Sequence, residues 1–425
     1  MALSTQPYKG ARDFYPEDKR LQKYMFNTMR KVVERFGYEE YDAPILESLE
    51  LYAAKSGEEI VNEQTYTFTD RGDRKVAIRP EMTPTVSRMV AAKRQELPYP
   101  LRWYSIPNLW RYERPQRGRL REHWQLNVDV FGLKGLEAEH ELILVADAIL
   151  QEFKAPRSTY EIKLNSRQLM DDIFKDYLKV DKQQAHDLAK LIDRMHKTDA
   201  KVFKETIQEI TKSQPVYDSL IDLLHAKQVR DLPAELQKHD SLKELEKLHK
   251  LLQASGLTNT VFDITLMRGF DYYTDIVFEV FDTHPDNNRS MFGGGRYDGL
   301  VALFGVEPVP TVGFGMGDVT LQNFLETHKL LPEIASETDL YVVLVGDVYE
   351  QAQPALKELR AKGLNLAVDS TGRKTDKQIK AADKKGLQKV VFIGEQELAD
   401  QKFTLKDLKT GQTESLTLEQ LVNHL

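Results

Sequence analysis

Residues 101–132, LRWYSIPNLWRYERPQRGRLREHWQLNVDVFG, read as two strands joined by an arginine-rich loop, and this stretch decides the fold. In the second strand Trp124, Leu126, Val128 and Val130 alternate with Gln125, Asn127 and Asp129. The two-residue period of a strand sends one apolar row into a core and one polar row to the opposite face, so Gln125 and Asp129 point the same way. The first strand is expected to set Leu109, Arg111 and Glu113 on one face and Trp110 and Tyr112 on the other. Between the strands Arg114, Arg117, Arg119 and Arg121 fall within eight residues. Planar guanidinium groups at that density suit phosphate. A solvated hairpin with a merely wet polar face shows the same alternation, so the pattern alone leaves both readings open.

Composition narrows the setting. A chain of 425 residues is long enough for about three domains of ordinary size, each with its own core. With no cysteine there is neither a disulfide framework nor a thiolate nucleophile or metal ligand, which fits a reducing compartment and a cytoplasmic protein. No apolar run approaches the ~18 residues of a membrane span, and the start MALSTQPYKGARDF lacks the apolar core of a signal peptide. A net charge of −7 argues against wholesale wrapping of nucleic acid but leaves room for local basic patches.

Residue order goes further than alternation. RYERPQRGRLREHWQLNVDVFG resembles the second signature of class II aminoacyl-tRNA synthetases in its histidyl form, where an Arg-x-Glu strand, a loop and a returning strand build an ATP site. Upstream, Leu21, Met25, Met29, Val32 and Phe36 recur at helical spacing, Gly37 stops the helix, and YEEYDAPILE reads as a strand with Pro44 near its end. That order is similar to the first class II signature, which implies a homodimer interface. VAIRPEMTPTVSRMVA, residues 76–91, is a strand turning into a helix near Pro84. Its Arg-Pro-Glu-x-Thr resembles the segment that holds the ammonium group of histidine. RGFDYYTDIVFE within residues 263–281 resembles a histidyl signature, there read as strand, glycine turn and strand; MFGGGRYDGL, residues 291–300, follows as a glycine-rich turn with Arg296 and Tyr297 beside it. PTVGFGMGDVTLQNFLE, residues 310–326, is similar to the third signature, with Thr320 where that family usually carries an arginine over adenine.

Three further segments complete the chain. From about Leu164 to Ala254 the pattern is helical, charged and without a catalytic signature, and reads as an insertion. After an acidic, proline-containing linker around residues 330–339, apolar strands alternate with helices, so a small α/β domain with a mainly parallel sheet is expected. Within it Arg373, Lys374, Lys377, Lys380, Lys384, Lys385 and Lys389 crowd into seventeen residues. A solvated helix face explains such a run by default, whereas beside a synthetase core it resembles an anticodon-binding domain.

The expected architecture is an α+β catalytic domain with an antiparallel sheet over residues 1–330, a helical insertion over 165–255 within it, and an α/β anticodon-binding domain over 337–425. The resemblance implies ligation of L-histidine to histidine tRNA with ATP as substrate and Mg²⁺ carried on its phosphates. It implies Arg111 and Arg268 at the reacting centre, and Glu81, Thr83 and Gln125 on the ammonium group. Asp129 and Tyr273 would read the imidazole, with Tyr272 nearby. Glu113, Arg119 and His123 would bind ATP, with Arg121 beside Arg119 for the outer phosphates. Arg114 and Gln116 would meet the acceptor end of tRNA, and Arg373, Lys374 and Lys377 its anticodon. Two other classes stay open: a synthetase-like regulatory subunit of histidine biosynthesis, and a silent sensor of uncharged tRNA, which Thr320 favours.

Overall fold

The computed structural model describes residues 3–53, 63–195, 198–267, 272–287 and 289–424. The chain divides into two compact units, residues 1–13 with 23–331 and residues 14–22 with 332–425.

A long helix α1 (Pro16–Arg35), in the larger unit from Lys23 onward, buries Met25, Met29, Val32 and Val33 and ends before Gly37, whose φ of 82° lies in the region that favours glycine. The chain then gives two short strands rather than one. β1 (Glu39–Glu40) and β2 (Leu46–Ser48) flank Pro44 and join different sheets, because proline cannot donate to a ladder. β2, helix α2 (Leu49–Ala53), β3 (Tyr66–Thr69) and β4 (Lys75–Ile78) form a small unit in which the strand order is β2-β4-β3. Helix α3 (Thr83–Ala92) follows.

The expected first strand of the hairpin is also split. β5 (Leu101–Ser105) and β6 (Asn108–Trp110) are interrupted at Pro107, and both pair with the returning β7 (Glu122–Phe131). Arg111 and Glu113 therefore lie just beyond β6, although the Arg111 N–H still donates to the Arg121 carbonyl at 2.8 Å and carries the ladder one step further. Helix α4 (Glu137–Glu152), β8 (Tyr160–Ser166) and the helices α5 (Arg167–Asp172), α6 (Lys182–Asp193), α7 (Ala200–Thr211), α8 (Gln214–Leu224) and α9 (Asp240–Ala254) come next. They lead to β9 (Thr260–Phe262), β10 (Ile276–Asp282), β11 (Ser290–Arg296), β12 (Thr311–Gly317) and α10 (Asp318–Thr327). The strand expected at residues 263–267 thus sits earlier, at β9. The glycine-rich segment expected as a turn is the strand β11.

Among the described residues the large sheet has the order β1-β5-β7-β12-β11-β10-β8-β9, with β6 added to β7. Its centre is antiparallel and its two ends are parallel, β1 on β5 and β9 on β8, so the sheet is mixed rather than purely antiparallel. Leu126, Val128 and Val130 of β7 are fully buried, as are Val312 and Met316 of β12; α4 and α10 pack against these strands and α9 against β8 and β9. On that face Gly294 lies in register between Phe278 and Phe314, whose rings are 6.1 Å apart. Arg296 donates from Nε and Nη2 to the carboxylate of Glu139 on α4 at 2.6 and 2.7 Å, so it fastens helix to sheet.

The smaller unit holds β13 (Leu340–Val345), α11 (Tyr349–Ala361), β14 (Leu366–Asp369), α12 (Thr375–Lys384), β15 (Lys389–Gly394), α13 (Glu395–Asp400), β16 (Phe403–Asp407), β17 (Thr413–Leu416) and α14 (Leu418–His424). Its sheet runs β14-β13-β15-β16-β17, parallel over the first three strands and antiparallel over the last two, so it is mixed rather than mainly parallel.

A methyl group on Gly294 would lie 2.0 Å from the Gly313 carbonyl oxygen and 2.6 Å from Phe314 Cβ, neither of which can swing aside, whereas Gly299 has open space. Gly294→Ala should lower unfolding stability by about 1–3 kcal/mol or more. Gly299→Ala, followed by the same denaturant titration, should stay within about 0.5 kcal/mol of the parent.

Candidate active site

The opposite face of the large sheet is floored by glycine. Across the strands Asp129 is in register with Gly313 and Gly295, and Asn127 with Gly315 and Gly293. The missing side chains are what lets the polar row of β7 lie over β12. A Cβ on Gly313 would come 2.1 Å from Asp129 Oδ1, and one on Gly315 would come 1.9 Å from Gln125 Nε2. A cavity of about 1340 Å³ opens over this floor.

Most of the expected site residues line it. Glu81 and Thr83 enter from the start of α3, Arg111, Glu113 and Arg119 from the β6–β7 connection, and His123, Gln125 and Asp129 from β7. Tyr272 and Tyr273 complete the expected set, Thr320 also lines the cavity, and Arg268 lies outside the described residues. The Arg111 guanidinium is steadied by its Nε, which donates to the Pro80 carbonyl at 2.9 Å. Arg119 Nη1 donates to Glu113 Oε2 at 3.3 Å. Arg114 and Gln116 are exposed on the loop outside the cavity lining.

Asp129 is the most unusual group here. It is 3% exposed, Tyr297 donates its hydroxyl to Oδ1, and Oδ2 has no hydrogen-bond partner among the described residues. Burial pushes its pKa up to about 7, against the opposing pull of the Tyr297 hydrogen bond. Burial and the neighbouring carboxylate raise the Tyr297 phenol well above its ordinary value, so it remains a donor. A buried carboxylate with one lone oxygen beside a cavity is suited to an N–H donor on a ligand. Around it Tyr272, Tyr273 and Tyr297 form one aromatic cluster with ring separations of 4.9, 5.6 and 6.4 Å, and the Tyr272 hydroxyl donates to Glu81 Oε2 at 3.3 Å.

His123 shows the opposite shift. Burial, then the charges of Arg111 and Arg12, drive its pKa down to about 3, so the ring is a neutral plane in the cavity wall. Arg12 itself pairs with Asp318 at 2.7 Å at the start of α10, and the other oxygen of Asp318 accepts the Trp124 N–H.

Two of the expected arginines already have protein partners. Arg121 is absent from the cavity lining: its guanidinium stacks 4.0 Å from the Tyr112 ring, Nε donates to the Glu113 carbonyl and Nη1 to the Tyr8 hydroxyl. These contacts engage its guanidinium outside the cavity lining. In the smaller unit Arg373 donates from Nε to Asp369 at 2.8 Å and from Nη2 to the Tyr341 hydroxyl at 3.2 Å, while Lys374 and Lys377 are exposed. Sequence reasoning missed Tyr297 as a site residue, and also Glu279, Arg167, His186, Lys190 and Arg194, which extend the lining. The GFGMG alternation facing Gln125, Asn127 and Asp129 was the available signal for the floor; nothing local in the sequence tied Tyr297 to Asp129.

Residues 10–319 match the family described as histidyl-tRNA synthetase, and residues 339–425 match the anticodon binding domain. The chain belongs to the histidyl-tRNA synthetase family. A histidine–tRNA ligase of Leptospira biflexa is 47% identical over 409 residues, 96% of this chain and 94% of that protein. One of Thermoplasma volcanium is 36% identical over 428 residues, covering 100% and 99%. Among solved structures, apo histidyl-tRNA synthetase of S. aureus superposes with a TM-score of 0.74 at 26% identity, covering 99% of each chain. A Bacillus halodurans C protein titled ATP phosphoribosyltransferase regulatory subunit/histidyl-tRNA synthetase superposes with a TM-score of 0.76 at 23% identity, over 93% of this chain and all of that one, which speaks to the fold alone.

The raised pKa of Asp129 has a measurable sign in this synthetase fold. Unfolded, the carboxyl titrates near its usual ~4, so between about pH 4 and pH 7 the folded state binds the extra proton and stability falls as pH rises. Asp129→Asn removes that titration. Denaturant unfolding at pH 4.5 and 7.5 should show the parent losing more stability than the variant across this interval, at up to about 1.4 kcal/mol per pH unit. Parallel losses would show that Asp129 titrates at an ordinary value.

Proposed function

We propose that this cavity activates L-histidine with ATP and passes it to the 3′ end of histidine tRNA, a step of protein biosynthesis. The observation that carries the reading is the Asp129 carboxylate: buried, oriented by Tyr297, and offering an unpartnered oxygen beside Gln125 over the glycine floor. An imidazole N–H would donate to that oxygen, and Tyr273 would serve the other ring nitrogen. Glu81, Thr83 and Gln125 would receive the ammonium group.

Two anions must then approach each other. A carboxylate oxygen of histidine attacks the α-phosphorus of ATP, the bond to the bridging oxygen breaks, and pyrophosphate leaves with that electron pair. Arg111, steadied by Pro80, and Arg268 would offset the negative charge that builds up there. His123, neutral and planar, would stack on adenine, with Glu113 and Arg119 toward the phosphates. Mg²⁺ would arrive on the phosphate oxygens, and the carboxylates of Glu113 and Glu279 on the cavity wall are the hard oxygen donors such an ion accepts. In the second step a hydroxyl of the terminal ribose of tRNA attacks the carbonyl carbon of the adenylate, and AMP leaves.

Arg114 and Gln116 on the loop suit the acceptor end of tRNA. In the smaller unit the exposed Lys374 and Lys377 suit the anticodon better than Arg373, whose donors already serve Asp369 and Tyr341. Exposed Ile45, Leu46 and Phe68 at the sheet of β2, β4 and β3 give an apolar surface fit for a homodimer contact. No described helix is long and apolar enough to cross a membrane, and the lack of cysteine suits a cytoplasmic setting. A silent sensor of uncharged tRNA is the second reading, favoured by Thr320; here Thr320 Oγ1 donates to the Met291 carbonyl at 2.7 Å and holds α10 to β11.

Pyrophosphate exchange separates the two. The protein with Mg²⁺, ATP and L-histidine, without tRNA, should exchange labelled pyrophosphate into ATP only when histidine is present. Arg111→Ala should lower turnover by about a hundredfold or more, since the charge it faces develops in the transition state. A folded parent protein with no histidine-dependent exchange would overturn the ligase reading and favour the sensor.

A further inference from the structure

The tip of the arginine loop is held by residues that belong to neither substrate. Gln116 and Arg119 exchange both backbone hydrogen bonds at 2.9 Å, closing a tight turn whose third residue, Gly118, has φ of 77°. The turn is therefore stiff: fixing one of its side chains fixes the next. Arg117, at its second position, donates from Nε and Nη2 to Asn287 Oδ1 at 3.1 and 3.0 Å, and from Nη2 to Thr327 Oγ1 at 3.1 Å. Its anchor is itself anchored. Asn287 Nδ2 donates to Asp282 Oδ2 at 2.6 Å and to Thr327 Oγ1 at 3.1 Å, and His328 Nε2 lies 2.8 Å from Asp282 Oδ1. Asp282, at the end of β10, is 8% exposed.

An isolated exposed ion pair would hold a loop weakly. A guanidinium fork on a relay that ends in a buried carboxylate is a different case, because the acceptors are already ordered and little rotamer freedom is left to lose. The clasp also brings the turn against α10: a Cβ on Gly118 would lie 3.5 Å from Thr320 Cγ2 and 3.9 Å from Asn323 Nδ2. Arg119, two residues after Arg117, then lines the cavity beside Glu113.

We propose that Arg117 is a positioning residue that, clasped to Asn287 and Thr327, holds the turn of residues 116–119 against α10 and thereby fixes Arg119 for the phosphates of ATP. This rests on the cavity being the ATP site described above. Arg117 lies outside the cavity lining, so in pyrophosphate exchange without tRNA its effect passes through Arg119 and falls on ATP rather than on histidine.

Histidine-dependent pyrophosphate exchange in the full-length protein tests this. Arg117→Ala should raise KM for ATP about tenfold, the loss of roughly one charge-assisted hydrogen bond's worth of ordering, with kcat and KM for histidine nearly unchanged. Arg117→Lys should recover only part of this, since an ammonium cannot reproduce the fork. Arg119→Ala should raise KM for ATP at least as far, and the double variant should be no worse than Arg119→Ala alone. Effects that multiply in the double variant, an unchanged KM for ATP in Arg117→Ala, or an equal rise in KM for histidine would each overturn the proposal. Should the parent show no exchange, the functional reading fails first. Calorimetric titration of ATP into the parent and the same four variants then reads the clasp directly, with weaker ATP binding in Arg117→Ala supporting it and equal binding overturning it.

Discussion

The site depends on one steric constraint: the strand beside β7 must carry no side chains on the face where β7 carries its polar row. Gly313 and Gly315 meet that constraint, since a Cβ at either would lie about where Asp129 and Gln125 now reach. Glycine in a strand interior ordinarily weakens the strand. Here the cost is offset on the other face of the same strands, where Val312, Phe314 and Met316 are buried against the helical layer. One sheet thus has an apolar side that makes the core and a bare side that makes the cavity. Asp129 can remain buried on that bare side because Tyr297 holds one of its oxygens, and its raised pKa is the sign that the remaining desolvation is uncompensated.

The arginines divide along the same line. Arg296 and Arg79 are buried structural cations: the first is fastened to Glu139, and the second donates to the carbonyls of Ala43 and Asn108, joining the loop after β1 to β6. Arg121 is half-buried on an aromatic stack with Tyr112. Arg111 and Arg119 line the cavity, and Arg117 ties down the loop between them. Charge density in the loop therefore does not translate into that many phosphate ligands. What each guanidinium does is fixed by whether a carboxylate, a carbonyl, a ring or open cavity lies within its reach.

This division marks the limit of what the sequence discloses. The alternation in residues 124–130 was legible because a strand's period is strict, and it placed Gln125 and Asp129 on one face correctly. The order of signatures was legible because it is linear along the chain. Strand limits were not: Pro107 splits the first hairpin strand, Pro44 divides another between two sheets, and the glycines at 293–295 form a strand where a turn was expected. In each case pairing partners far away in sequence decided between local alternatives of similar energy. The same holds for Tyr297, which meets Asp129 across 168 positions of chain, and for Arg121, whose stacking on Tyr112 and bond to Tyr8 depend on where the first residues of the chain lie.

The central claim is that Asp129 over the glycine floor recognises the imidazole of histidine. Titration calorimetry of L-histidine, and separately of ATP, into the parent and Asp129→Ala tests it most directly. Removing the acceptor leaves an imidazole N–H without a partner in a buried site, a loss of about 1–3 kcal/mol, so histidine affinity should fall roughly tenfold or more while ATP affinity stays within about twofold. Equal losses for the two ligands, or unchanged histidine affinity, would contradict the account and move imidazole recognition away from Asp129.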